Sequence, residues 1–291
     1  NVQKIVFDGD RATGVEIVWQ GQKRTITAGV HTILSTGALK TPQLLMVSGV
    51  GEAQHLAEHG IETVANLPGV GRNLQDHPLV AGSIWEYRTP MPPVGTGSQC
   101  VFFANVNGEP GAPDLMPVQL QSPFTSEVHG LRDDIPDSGW SIVPGLAKPR
   151  SRGRVMLSSS NPNDDPITQT RFLSDPHDLE TLYRGLEFVR EIGNSSEMSS
   201  YVSREVMPGP VNKEEMTDFI RNGVATYFHM ACTAKMGADG DPMAVLDSNL
   251  SVRGVRGLSV ADTSAMPDIT RGHTMAPAAM IGYQLARVLM S

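Results

Sequence analysis

Two histidines in the last quarter of the 291-residue chain have neighbours that suit proton transfer. His229 directly follows Phe228 and opens the run His229-Met230-Ala231-Cys232-Thr233-Ala234-Lys235-Met236-Gly237, and His273 lies in Gly272-His273-Thr274-Met275-Ala276-Pro277. The imidazole ring has an ordinary pKa of about 6.5, so it can take up or release a proton near neutral pH. Alone, a histidine beside an aromatic residue is typical of a core position. A catalytic role therefore has to rest on the neighbouring residues.

A different histidine pattern would support metal chemistry. His55-Leu56-Ala57-Glu58-His59 places two histidines four residues apart on one helical face, with Glu58 available as a general base, as in some zinc peptidases. The helix is expected to end at Gly60, and no suitably placed third ligand follows in the sequence. A zinc hydrolase acting through His55 and His59 stays an alternative, whereas the leading interpretation includes no metal site.

Two glycine-containing segments in the first third of the chain have an unusual spacing. Gly37-Ala38-Leu39-Lys40-Thr41-Pro42-Gln43-Leu44-Leu45-Met46-Val47-Ser48-Gly49-Val50-Gly51 is followed by Pro68-Gly69-Val70-Gly71-Arg72-Asn73-Leu74-Gln75-Asp76-His77. Tight turns in a strand–turn–helix unit explain each glycine singly. They do not explain the glycine spacing together with Asn73 and His77. A third segment near the end, Gly257-Leu258-Ser259-Val260-Ala261-Asp262-Thr263-Ser264-Ala265-Met266-Pro267, places an acidic residue directly after an apolar run.

Together these segments resemble the glucose–methanol–choline (GMC) oxidoreductases. The segment from Gly37 to Gly51 is similar to the second signature of that family: a small pair, Thr-Pro, two aliphatic residues, and Ser-Gly-aliphatic-Gly. The run that begins at His229 is similar to the family pattern His-x-x-(small)-Thr-x-x-Met-Gly, except that Cys232 stands where the family commonly has glycine. The segment containing Asp262 is similar to the closing motif. His273 occupies the partner position, which holds either His or Asn in the family.

The resemblance implies an FAD-dependent, choline dehydrogenase-like flavoprotein that oxidises an alcohol to an aldehyde or ketone. In such enzymes a base removes the hydroxyl proton while hydride passes from the carbinol carbon to flavin N5. By resemblance, His229 is the base, and His273 hydrogen-bonds the substrate oxygen and steadies the developing alkoxide. The resemblance further assigns cofactor contacts to Thr36, Gly37, Phe228, Asp262, Thr263, His273, Thr274 and Met275.

Other functions stay open on the same fold. A hydroxynitrile lyase that holds FAD without turning it over is one alternative, and a non-catalytic GMC relative is another. The sequence does not identify the alcohol, and the electron acceptor is either oxygen or a quinone-like molecule. A histidine at position 273 favours the oxidase-like members of the family.

The dinucleotide-binding motif that opens these proteins is absent from the sequence. That motif is a G-x-G-x-x-G turn after a first strand, with an acidic residue for the ribose. Gly69-Val70-Gly71-Arg72-Asn73-Leu74 has the first two glycines, but Leu74 stands where the third belongs. We therefore expect a fragment, the C-terminal portion of a GMC protein that lacks the N-terminal FAD-binding unit. The missing N-terminal segment of the same protein would be its partner.

The amino-acid composition and the net charge limit the possible binding partners further. The formal net charge of -8 and the sequence pI of about 5.5 give no electrostatic reason to bind nucleic acid or an anionic membrane. No stretch approaches the roughly 20 apolar residues that span a bilayer. The two cysteines, Cys100 and Cys232, are too few for a disulfide framework. The expected partner is a small-molecule alcohol. The sequence leaves the cellular location open and favours the cytoplasm.

Periodicity and turn residues predict the elements that position these side chains. Strands are expected in residues 1–36, a helix from Pro42 with Thr41 as its N-cap, and an amphipathic helix from Pro176 to Ile192. A last helix carries Pro277 in its first turn. These elements predict an α/β (α+β) fold. Together with the resemblance, they imply an incomplete FAD-binding domain formed by residues 1–79 and 226–291. Residues 80–225 are expected to form a substrate-binding lid on an antiparallel sheet with helices.

Overall fold

The computed structural model describes residues 1–92, 94–108 and 111–290, and it has the mixed α/β fold that the sequence predicts. The strands are β1 Val2–Asp8, β2 Arg11–Trp19, β3 Gln22–Thr27, β4 Thr32–Leu34, β5 Val50–Gly51, β6 Ala65–Asn66, β7 Arg72–Leu74, β8 Pro78–Val80, β9 Ile84–Tyr87, β10 Ser98–Val101, β11 Val118–Leu120, β12 Gly139–Val143, β13 Gly153–Met156, β14 Ile167–Gln169, β15 Val202–Met207, β16 Val224–Thr226 and β17 Leu258–Val260. The α-helices are α1 Gly37–Val47, α2 Ala53–Glu58, α3 Pro176–Gly193, α4 Lys213–Gly223 and α5 Met275–Met290.

The first of two compact units contains Asn1–Gln75, Arg152–Arg171 and the chain from His229 onward. β1, β2 and β3 form one antiparallel sheet, and β14, β13 and β7 form a second. β4 pairs in parallel with β17. This pairing places the start of α1 beside the segment that follows β17, because both segments leave the same end of a parallel pair. Apolar side chains from both ends of the chain share one core, including Ile5, Leu34, Leu45, Val50, Leu56, Leu246, Val260 and Leu285.

The second unit contains Asp76–Ser151 and Phe172–Phe228. Its five-stranded antiparallel sheet has the order β10-β11-β12-β9-β15, and β8 pairs with β16. The apolar face of α3 packs against this sheet, where the Trp85 and Trp140 rings stack with centroids 4.9 Å apart. The predicted amphipathic helix is confirmed, and the Asp175 carboxylate caps it by accepting the N–H of His177 at 2.9 Å.

Two predictions about local organisation differ from the structure. α1 begins at Gly37 and not at Pro42, because the hydroxyl of Thr41 donates to Asp262 instead of capping a helix. Arg152–Arg171, which the prediction included in the lid of residues 80–225, packs in the first unit, where β13 pairs with β7. In residues 1–92, 94–108 and 111–290, no helix has both the length and the apolar character needed to cross a bilayer.

Candidate active site

The segment that carries His229 lies in an extended conformation against two other parts of the first unit. The N–H groups of Cys232, Ala234 and Met236 donate to the carbonyls of Thr263–Ala265 at 2.9–3.0 Å. On another side, Gln75 and Ala231 exchange two backbone hydrogen bonds of 2.9 and 3.1 Å. The backbone immediately after His229 is therefore held by hydrogen bonds to partners that are distant in the sequence.

His229 and His273 meet directly. His273 Nδ1 lies 3.0 Å from His229 Nε2, and the two rings are nearly perpendicular, with centroids 4.9 Å apart. His229 is half-buried and His273 is exposed. A hydrogen bond between two imidazole nitrogens requires a proton on one nitrogen and a lone pair on the other. The pair can therefore accept a proton from a third group, and it is disrupted when both rings are doubly protonated.

Phe228, directly before His229, has a strained backbone. Its φ is +62°, which is rare for a bulky residue, and its side chain is 80% exposed. The N–H of Phe228 donates to Thr226 Oγ1 at 2.7 Å, and the Thr226 hydroxyl donates to Asp76 Oδ2. This pair of hydrogen bonds holds the left-handed conformation. A contact between Phe228 and the cofactor stays a prediction.

Asp262 is an internal anchor. Its carboxylate is 92% buried, since only 8% of the residue is exposed, and it accepts four hydrogen bonds. Oδ2 accepts Gly37 N–H at 2.9 Å and the Thr41 hydroxyl at 2.6 Å, while Oδ1 accepts the N–H and hydroxyl of Ser264 at 2.8 and 2.5 Å. The carboxylate thus joins the first turn of α1 to the 3-10 turn at Thr263–Ala265. Its predicted contact with the cofactor stays a prediction beside this structural role.

Thr233, in the His229 segment, compensates for a proline in α1. Pro42 has no N–H, so the Ala38 carbonyl four residues earlier lacks its usual helical donor. The fully buried Thr233 hydroxyl donates to this carbonyl at 2.6 Å. Pro42 is accommodated inside α1 for this reason, and the His229 segment is joined to the helix.

The remaining predicted cofactor residues differ in accessibility. The Thr263 hydroxyl donates to the Met230 carbonyl at 3.0 Å and so fastens the segment of His229. Thr274 is buried, and its carbonyl accepts Ala278 N–H at 3.0 Å in the first turn of α5. Met275, by contrast, is 76% exposed, and Thr36 is exposed with its hydroxyl 2.8 Å from that of Thr41. Met275 and Thr36 are therefore accessible to a ligand, whereas Thr274 is enclosed.

The geometry of His55 and His59 argues against the zinc alternative. His55 Nε2 accepts the N–H of Leu157 at 3.1 Å, which occupies the lone pair that a metal would need. His55 Nδ1 lies 3.5 Å from a Glu58 carboxylate oxygen. Across the described ranges of the chain, no group of three or more His, Cys, Asp and Glu side chains is arranged to hold a metal ion. His55 instead joins α2 to Leu157, the residue after β13.

Sequence reasoning assigned no role to the side chains of Asn73 and Gln75, although both lie in a segment that resembles the family. In the structure these two amides hydrogen-bond each other and both histidine-bearing segments. The signal available in the sequence was the pairing of two amide residues around one apolar residue. Their partners are 159 to 194 residues away, so spacing could not identify them.

Two family models, both described as GMC oxidoreductase, match the chain at residues 1–79 and 149–282. A choline oxidase from Arthrobacter globiformis is 38% identical over 302 residues, covering 99% of this chain and 54% of the relative. An alcohol dehydrogenase [acceptor] from Pseudomonas putida is 35% identical, covering 99% of this chain and 56% of the relative. The crystal structure of pyridoxine 4-oxidase from Mesorbium loti superposes with a TM-score of 0.92 at 33% identity, covering 98% of this chain and 56% of that one.

The chain belongs to the GMC oxidoreductase family. It spans about half the length of the curated relatives that it matches. The expectation that it lacks the N-terminal FAD-binding unit is wrong, because the N-terminal family model matches residues 1–79. That expectation rested on the absence of one glycine motif, whereas the family model matches residues 1–79 as a whole. The predicted partnership with a further N-terminal segment of the same protein stays a prediction.

Proposed function

We propose that the protein is an FAD-dependent oxidoreductase that oxidises a small primary or secondary alcohol, with His229 as the base. The observation that carries the proposal is the 3.0 Å contact between His229 Nε2 and His273 Nδ1, on segments held by buried hydrogen bonds. The names of similar proteins supply independent support, because they describe oxidation of choline, of an alcohol and of pyridoxine. The substrate of this protein is proposed only at the level of an alcohol.

The residues of the first unit fit a flavin. The first N–H groups of α5 have no acceptor within the helix and follow His273 directly, so they can donate to electron-rich atoms of a cofactor. Met275 is mostly exposed in that same turn and offers an apolar surface for a planar ring. Thr36 at the start of α1 is also accessible. When bound, FAD supplies the acceptor for the hydride that leaves the carbinol carbon.

The two histidines would divide the work on the alcohol oxygen. The hydroxyl enters between them in place of their direct hydrogen bond, and its proton passes to Nε2 of His229 as the O–H bond breaks. Nδ1–H of His273 then donates to the oxygen while negative charge develops there. A positioned base of this kind contributes about 10² to 10⁴ in rate.

Anaerobic mixing of the FAD-loaded protein with a panel of alcohols tests the proposal, because alcohol oxidation bleaches the flavin absorbance. We expect bleaching by at least one alcohol, and a rate at least about 10²-fold lower for His229→Ala. His59→Ala is a matched control, because His59 is also half-buried but directly follows α2 and is not part of the histidine pair. Bleaching that is as fast in His229→Ala as in the unchanged protein would overturn the assignment of the base. Absence of bleaching, with release of an aldehyde from a cyanohydrin, would favour the lyase.

The electron acceptor is proposed as oxygen or a quinone-like molecule, and the location as the cytoplasm. Mixing the alcohol-reduced protein with oxygen separates the acceptors: rapid return of the flavin absorbance supports oxygen, and slow return supports the quinone-like acceptor.

A further inference from the structure

The hydrogen bonds of two amide side chains connect the segments that carry the two histidines. Gln75 Oε1 accepts the N–H of Ile269 at 3.2 Å, and Gln75 Nε2 donates to Asn73 Oδ1, also at 3.2 Å. Asn73 Nδ2 donates to the carbonyls of Pro267 at 3.2 Å and Cys232 at 3.4 Å. We call this series of bonds the amide bridge.

The amide bridge ends close to both histidines. Ile269 lies four residues before His273, and Cys232 lies three residues after His229. The backbone of Gln75 adds two hydrogen bonds to Ala231, two residues after His229. Asn73 and Gln75, at the end of β7, therefore contact both the segment before His273 and the segment after His229.

The chemistry of the bridge requires amides. Each of the two side chains donates from its nitrogen and accepts at its oxygen. A carboxylate or an apolar side chain of this shape cannot do both, and a hydroxyl can do so only at a single atom. Gln75 is 99% buried, since only 1% of it is exposed, so water cannot replace its bonds. Asn73 has a φ of +61°, a left-handed conformation that asparagine tolerates better than most residues.

We propose that Asn73 and Gln75 are positioning residues that hold the imidazoles of His229 and His273 at hydrogen-bond distance. This inference rests on the proposed function for its catalytic meaning, but the geometry that it concerns can be measured without catalysis. The two amides act only through the backbone of Ile269, Pro267 and Cys232. They are therefore expected to control the rate of proton transfer and not the identity of the base.

The direct test is nuclear magnetic resonance of the chain with 15N-labelled histidine. A hydrogen bond between His273 Nδ1 and His229 Nε2 gives a through-bond 15N–15N coupling, which disappears when the nitrogens separate. We expect this coupling in the unchanged chain and its loss in Asn73→Gly and in Gln75→Met. Asn73→Gly removes the amide while suiting the positive φ, so the fold is retained. Gln75→Met keeps a similar shape without the hydrogen bonds.

Gln20→Gly is the matched control. Gln20 also has a positive φ of +51° and is exposed in the turn between β2 and β3, so its replacement removes an amide from the same backbone conformation. We expect the coupling between the histidines to persist in this variant. A coupling that persists in both Asn73→Gly and Gln75→Met, or that is absent from the unchanged chain, would overturn the proposal.

A kinetic arm separates this proposal from the proposed function. In the FAD-loaded protein, Asn73→Gly is expected to lower kcat by about 10²-fold with a smaller change in KM, as for a misplacement of about 1 Å. If the coupling is lost in the amide variants but His229→Ala keeps full turnover, the positioning role stands and the proposed function fails. If the coupling survives in the amide variants and His229→Ala abolishes turnover, the reverse holds.

Discussion

Replacement of Thr233 by valine removes one hydroxyl from the core with little change in shape. The Thr233 hydroxyl donates to the carbonyl of Ala38 at 2.6 Å, and Thr233 is fully buried. Pro42 cannot donate to that carbonyl, so the variant leaves a buried acceptor in α1 without this donor. An unsatisfied buried acceptor costs about 1 to 3 kcal/mol. We expect Thr233→Val to lower the free energy of unfolding by about 2 kcal/mol in urea titrations.

Thr233→Val should lower the free energy of unfolding by less when residue 42 has an N–H that can donate to the Ala38 carbonyl. In a Pro42→Ala background, the N–H of residue 42 can bond to Ala38 as in a regular helix. We therefore expect Thr233→Val to cost about 1 kcal/mol less in that background, a coupling well within the range seen for residues that share a partner. Hydrogen exchange of the α1 amides, measured on all four proteins of the cycle, locates the effect. An equal cost of Thr233→Val in both backgrounds would refute the compensation.

Three further predictions concern single positions. Burial lowers the pKa of His129, whose Nδ1 lies 3.0 Å from the Ala81 carbonyl oxygen, so the folded protein favours the neutral ring. The stabilisation of the fold by the neutral His129 ring is complete above the ordinary pKa of about 6.5. It is lost as pH falls through the lowered pKa. Urea unfolding at a series of pH values should show a shallower loss between pH 7 and 5 for His129→Gln; an unchanged slope contradicts this. Cys232 is buried at a φ of +74°, so Cys232→Gly should be about 1 kcal/mol more stable than Cys232→Ala by urea unfolding, and equal stability would rule out backbone strain. Asp262→Asn leaves one acceptor oxygen for the donors that now share two, so it should lower the free energy of unfolding by about 1.5 to 3 kcal/mol. Hydrogen exchange should then show weaker protection of the α1 amides. Protection as in the unchanged chain would mean that other contacts hold the helix.

The sequence was sufficient for the elements that repeat a simple pattern. The apolar stripe from Leu179 to Val189 predicted α3, and the structure places it at Pro176–Gly193. The strand pattern of residues 1–36 predicted β1 to β4. Local periodicity identifies such elements because one face of each is buried.

The start of α1 illustrates what local patterns miss. Thr41 followed by Pro42 has the composition of a helix start, yet Asp262, 221 residues later, takes the Thr41 hydroxyl. Thr233 satisfies the carbonyl that Pro42 leaves without a donor, from 195 residues away. Tertiary hydrogen bonds thus overruled a local signal that was correct in isolation.

For the candidate site, resemblance to a family located the two histidines, and the structure placed them 3.0 Å apart. The roles of Asn73 and Gln75 could not be predicted in the same way. They depend on side-chain directions and on a left-handed backbone at Asn73, which no residue pattern specifies. The predicted catalytic roles and cofactor contacts stay predictions until the experiments above are done.

The long reach of these hydrogen bonds has a consequence for how the protein folds. The bonds from Asp262 to α1 span 221 and 225 residues, and that from Thr233 to Ala38 spans 195. Closing a loop between such distant residues costs entropy before any contact is gained, so contacts of this kind form slowly. We therefore expect the histidine pair, whose segments these bonds hold, to form late in folding. The hydrogen bonds around the candidate site can form only when segments near the two ends of this chain have met.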